Sequence, residues 1–150
     1  MKNLLQPAAQ QELLARIDKL TPQTKAVWGK MNVNQGLRHM TVAFEIPIGE
    51  LNPTPAKVPP MPKWLMKLFL LEMKPPKERA ETFEEMNMVK RNINPADFEA
   101  EKTNLKKMIN RFAATTTFIP ENKLGGKFKR DDWGKLCYNH TDHHLRQFGV

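Results

Sequence analysis

Apolar side chains recur at intervals of three and four in four separate stretches of this chain, and this constrains the fold more than any other feature. The first stretch is Leu13, Leu14, Ile17 and Leu20; the second is Leu37, Met40, Ala43 and Phe44. A third is Phe98, Leu105, Met108, Ile109 and Phe112, and the last is Trp133, Cys137, His140, His144 and Phe148. That spacing puts each set on one face of an α-helix, whereas a strand needs strict alternation, which is nowhere convincing. The expectation is an all-α protein with helices over residues 8–20, from Asn32 or Asn34 to about 49, over 97–115 and over 130–147.

Punctuation along the chain agrees with this. Thr21-Pro22 ends or restarts the first helix, because proline disfavours helical geometry in the residue before it. Asn32 or Asn34 is a capping residue for the second helix, and Pro47 ends or kinks it early. Five prolines between residues 51 and 62 make a stiff, extended connection. A short extra helix follows, carrying Trp64, Leu65, Leu68, Phe69 and Glu72 and closed by Lys74-Pro75-Pro76. Residues 75–95 read as a polar connection, with a brief helical or extended piece over 82–88. Pro120 and Gly125-Gly126 mark a loop, Asp131 and Asp132 suit a helix N-terminus, and Gly149 is a stop. Four principal helices with irregular connections imply a bundle. At 150 residues, 1–150 is expected to form a single domain.

Composition narrows the partners. The formal net charge of +8 attracts anions, but lysines are spread along the whole chain and only 123–130 is locally basic. Nucleic-acid binding, which needs a concentrated patch, is therefore disfavoured. The most apolar stretch, 64–73, is about half the length that a bilayer requires, so no membrane span is expected. Cys137 is the lone cysteine, and the chain opens without a secretory pattern. Cytoplasmic residence is the corresponding expectation.

The polar residues inside the last apolar stripe bear on function. Side chains four apart on a helix share a face, with Cβ atoms about 5–6 Å apart, so His140 and His144 can reach one ion. They either bind a divalent metal together or hydrogen-bond separately in the core. A third ligand must come from another helix, and His39, at the edge of the second stripe, is the only histidine outside the last segment. His143 is about 100° round from His144 and is read either as a neighbour of the site able to carry a proton or as a surface histidine. Tyr138 and Gln147 are candidate pocket residues, and packing is the other reading of Tyr138. Cys137, one turn before His140, is read as a pocket residue whose thiol is either close to the metal or inert in the core. Asp142 points about 160° away from His144 and fits poorly as a ligand. Arg38 and Arg146 flank histidines and either attract an anionic substrate or are solvated. Trp28 and Trp64 are pocket walls, core or dimer contacts. No H-E-x-x-H peptidase motif occurs, and Gly125-Gly126 lacks the spacing of a phosphate loop.

The closing segment, with Asn139-His140-Thr141-Asp142-His143-His144-Leu145-Arg146-Gln147, resembles the end of the DinB-like superfamily, where an N-H-x-x-H-H-x-x-Q run closes the fourth helix. The stretch from Trp28 through Asn34-Gln35 to His39-Met40 resembles the start of that superfamily's second helix, which carries the first ligand. The similarity spans nearly the whole chain and is nearest to a branch of short bacterial proteins of unknown function. It implies an up-down-down-up four-helix bundle, often dimeric, with nickel or zinc held at His39, His140 and His144. It further implies kinship with transferases or isomerases that use a low-molecular-weight thiol, and the expected activity is that of a metal-dependent thiol S-transferase or hydrolase acting on a small electrophile. The alternative is a non-catalytic metal-binding or stress-response protein working through a partner or as a dimer. The proline-rich connection and the Trp64 helix depart from the simpler family pattern.

Overall fold

A computed structural model describes residues 2–54, 58, 60–73 and 83–150. Regular structure among them is mostly helical: α1 (Pro7–Asp18), α2 (Val33–Glu45), α3 (Lys63–Glu72), a single 3-10 turn (Glu84–Met86), α4 (Phe98–Ala114) and α5 (Arg130–Gln147). The expected stop at Lys74-Pro75-Pro76, the start of the 82–88 piece, and Pro55 and Pro59 lie outside the described residues.

Three of the four long helices begin where the sequence supplies a partner for exposed backbone N–H groups. At α2, Asn32 Oδ1 accepts from Gln35 N at 2.9 Å while Gln35 Oε1 accepts from Asn32 N at 3.0 Å, a reciprocal cap. Gln35 Nε2 then donates to Ile93 O at 3.0 Å, fastening the start of α2 to the approach to α4. Asp97 Oδ1 caps α4 through Ala100 N at 2.9 Å, and Asp132 Oδ2 accepts from Lys129 N at 2.8 Å at the start of α5. Pro7 opens α1, where a missing N–H is harmless.

The apolar stripes meet in one core. Leu13, Ile17, Leu37, Met40, Leu105, Ile109, Phe112 and Leu145 are fully buried or nearly so, each stabilising the fold by about 1.5–3 kcal/mol relative to exposure. Phe44 of α2 and Phe112 of α4 pack edge to face with centroids 5.3 Å apart. Helix α2 packs on α4 and α5, and α1 packs on the same two, so around the core the order is α1, α4, α2, α5. Helix α3 lies outside this set, against α5. Lys67 ties it down by an ion pair to Asp132 at 2.6 Å, and Asn139 Nδ2 donates to Leu71 O at 2.9 Å.

Two expectations need correction. The Gly125-Gly126 loop is a small antiparallel hairpin, β1 (Glu121–Asn122) with β2 (Gly126–Lys127), registered Glu121 to Lys127 and Asn122 to Gly126. Strands of two residues are too short to show alternation. Asn122 Oδ1 shapes the turn by accepting from Leu124 N and Gly125 N, and Gly126 takes a φ of +71°. Trp64, in the first turn of α3, is 69% exposed and is no core residue.

Candidate metal centre

His39 on α2 and His140 and His144 on α5 come together where these two helices face each other. Their ring centroids are 5.0 Å (His39–His140), 4.5 Å (His39–His144) and 4.6 Å (His140–His144) apart. One ligand atom from each ring lies within 4.8 Å of the others, so the three could hold a metal ion. Two of the nitrogens, His39 Nε2 and His140 Nε2, stand 3.0 Å apart. An ion bound at roughly 2.0–2.1 Å requires a separation of about 3 Å, so this pair already fits.

The tautomers follow from the partners. His39 Nδ1 lies 2.7 Å from the carbonyl oxygen of Met86, in the 3-10 turn. A carbonyl only accepts, so Nδ1 carries the proton and the Nε2 lone pair is turned to the centre. His144 Nδ1 lies 2.8 Å from Gln147 Oε1, and the amide of Gln147 is oriented by donating Nε2 to Trp28 O at 2.8 Å. His144 Nδ1 is therefore the donor as well. Backing of this kind is what metal-bound imidazoles use to fix ring orientation and raise basicity.

Electrostatics point the same way. His39 and His144 are buried and His140 is half-buried. Burial pushes His39 down to about 4. It pushes His140 and His144 well below the ordinary histidine range, each with a smaller contribution from neighbouring histidines. All three rings are neutral at pH 7, the form that binds a metal.

The other sequence candidates divide by helical angle. His143 is buried at the edge of the centre, with its ring edge-on to His144 at 5.0 Å and to Trp28 at 6.0 Å. Gln147 is the partner of His144 described above. Cys137 lines the adjoining cavity, but burial pushes its thiol up, so it is no nucleophile at neutral pH. Tyr138 faces away: its hydroxyl donates to Glu12 Oε1 on α1 at 2.9 Å. Two residues along a helix is about 200°, which turns Tyr138 from the face that carries His140. Asp142 pairs with Arg16 at 2.7 Å and with Arg146 at 3.0 Å, and Arg38 pairs with Glu101 at 2.6 Å, so these charges brace helices outside the centre.

Sequence reasoning missed the cavity that opens from the histidines. It has a volume of about 1280 Å³, and its walls include Phe44, Met66, Phe69, Leu70, Met86 and Leu136. No Asp or Glu is among its described lining residues. Thr141 also lines it, fully buried, with a hydroxyl that has no hydrogen-bond partner among the described residues. The methionines signalled apolar packing, but nothing in their spacing showed that they leave a space.

A mostly helical fold with three facing histidines defines the protein as a helical chain with a possible metal centre. The chain belongs to a family described as protein of unknown function (DUF1569), which it matches over residues 1–149. Neither a curated protein nor a solved structure gives a significant match.

Proposed function

We propose that this is a DinB-like metalloprotein in which His39, His140 and His144 hold a divalent ion, nickel or zinc, with at least one position left for substrate. The observation that carries this reading is the pairing of each inner Nε2 lone pair on His39 and His144 with an outer Nδ1–H donated to a carbonyl oxygen. Histidines that served only packing would have no need of that arrangement on two rings that converge. The cyclic order α1, α4, α2, α5 supports an up-down-down-up four-helix bundle with α3 as an addition, forming one domain.

The reaction proposed is transfer of a low-molecular-weight thiol to a small electrophile, or hydrolysis of one. When bound, the ion supplies a lowered pKa for a coordinated thiol or water, or polarises a carbonyl. The thiol must come from outside the protein, because Cys137 is buried and held protonated. His143, at the edge of the centre, is the group assigned to move a proton, since no carboxylate is among the described residues of the cavity wall.

The second reading is a metal-binding protein without turnover that acts through dimerisation or a partner; the described lining offers imidazoles but no carboxylate. A homodimer is proposed in either case, with exposed Trp64 and Leu68 of α3 as its apolar surface. Nucleic acid is not proposed as a partner, because cationic side chains such as Arg16, Arg38, Lys67 and Arg111 are spent on ion pairs across the fold. Among the described residues no helix is long and apolar enough to cross a membrane, and cytoplasmic residence is proposed.

Metal analysis of the purified, nickel- or zinc-loaded protein tests the centre. One ion per chain is expected, falling below a tenth of that in His140→Ala; no stoichiometric ion in the loaded protein overturns the reading. Thiol consumption with an aryl halide or epoxide, lost in His144→Ala, separates the two functions. A fully loaded protein without turnover favours the non-catalytic one.

A further inference from the structure

We infer that the substrate of this centre is lipophilic: an extended apolar body, alkyl or aryl, carrying one oxygen or sulfur donor head. The inference rests on the metal reading for its head and on the cavity alone for its body. A volume of about 1280 Å³ exceeds the roughly 300–1,000 Å³ of most small-molecule pockets, so the cavity has room for an apolar body attached to the electrophilic head. The lining includes Lys30, Asn87, Lys90 and Asn122 but is mostly apolar, and Met66, Met73, Met86 and Met88 contribute to it. Thioether side chains are unbranched and polarisable, and adapt to irregular apolar shapes, as promiscuous lipophilic surfaces do.

Polar groups are distributed in a way that sets the ligand's direction. His39, His140 and His144 lie on the α2–α5 side and form the centre, whereas Asn139 is turned to α3, donating to Leu71 O. On the other side α3 supplies Met66, Phe69 and Leu70, with Met73 just past its end, as a roof. Exposed Lys30, Val89 and Lys90 also line the cavity, so it reaches solvent there and a ligand can enter. A head bound at the histidines therefore leaves its apolar body running beneath α3.

Straight-chain hydroxamic acids, whose head chelates metals, are the probe. Calorimetry on the loaded protein would compare acetohydroxamate with its hexano and decano homologues. Each buried methylene is expected to tighten binding about fourfold, and an affinity independent of chain length overturns the inference. Ala43→Phe, which fills the space, and Met66→Lys, which charges the roof, should each flatten the series while leaving acetohydroxamate affinity and metal stoichiometry unchanged. A series that stays steep in both variants overturns the assignment to this cavity. Metal-free protein titrated with hexanol and decanol separates the two readings. Chain-length dependence there without any metal uptake removes the centre and keeps the lipophilic cavity. Metal uptake and acetohydroxamate binding with a flat series remove the lipophilic substrate and keep the centre.

Discussion

Gln147 joins His144 to the backbone of Trp28: its Oε1 stands 2.8 Å from His144 Nδ1, and its Nε2 donates to Trp28 O at 2.8 Å. A side chain held at both ends fixes the ring it touches, so the lone pair of His144 is aimed before any ion arrives. Gln147→Leu is similar in volume and removes both bonds. Metal affinity should fall about 10–100-fold, measured by competition with a chelating dye, while the helical circular dichroism stays unchanged. An unaltered affinity would show that the orientation of His144 is set by packing alone.

Gly29 offers an independent route to the same relationship. Its φ is +79°, and a Cβ built there collides with Gln147 Nε2. Gly29→Ala therefore strains the backbone and displaces the amide from Trp28 O. The expected result is weaker metal binding from a residue that touches no ligand. In a double-mutant cycle with Gln147→Leu the two losses should not add, because both act through one amide. Full additivity would mean that Gly29 acts elsewhere.

Much of this architecture was legible beforehand. The stripes of α1, α2, α4 and α5 follow from local spacing, which a sequence displays directly, and of the two capping candidates Asn32 and Asn34 the structure uses Asn32. The facing of His140 and His144 followed from the same periodicity. What was not legible depends on backbone groups distant in sequence. The acceptor for His39 is a carbonyl 47 residues away, and any residue type could supply it. The placement of α3 was equally hidden, since an exposed Trp64 beside a cavity-lining Phe69 on one short helix has no signature in composition.

Removal of the ion should separate a structural from a local role for the centre. A ligand present at 100 times its dissociation constant stabilises the native state by about 2.7 kcal/mol. Chelation of the loaded protein is therefore expected to lower Tm by several degrees, reversibly, and to do nothing to His140→Ala. The His39 ring remains bonded to Met86 O without metal, so the metal-free chain should stay folded. A chelator that unfolds the protein at room temperature would show that the metal holds α2 and α5 together.

The approach of α2 to α5 depends on Gly36, one turn before His39. A Cβ at Gly36 would overlap the Phe148 ring, which is buried just beyond α5. In an exposed helix, alanine in place of glycine stabilises by about 1 kcal/mol. Here overpacking of about 1–3 kcal/mol should outweigh that gain. Gly36→Ala is expected to lower Tm and, by pushing α2 outward, to weaken metal binding; a raised Tm would show that Phe148 swings aside at no cost. Gly36→Ala combined with Phe148→Leu should recover part of both losses.

Asp132 gives the acid limit of the roof over the cavity. Burial raises its pKa, but the backbone N–H of Lys129 and the Lys67 ammonium outweigh this, and the carboxyl lies below its ordinary 3.8. A depressed folded pKa means that the unfolded chain binds the proton more readily. The stabilisation is thus present above 3.8 and is lost as pH falls below that value toward the folded pKa. Because Lys67 bonds both Asp132 Oδ2 and Lys127 O, protonation releases α3 from one of its two polar anchors there. Asp132→Asn should cost about 1 kcal/mol near neutral pH, at the low end for a charged hydrogen bond because Lys67 is partly exposed. Thermal melts of the two proteins should differ at pH 6 and converge in acid, where the wild-type carboxyl is itself protonated. Curves that stay parallel down to the lowest pH would show that α3 is held by Asn139, Leu71 and the apolar wall rather than by this ion pair.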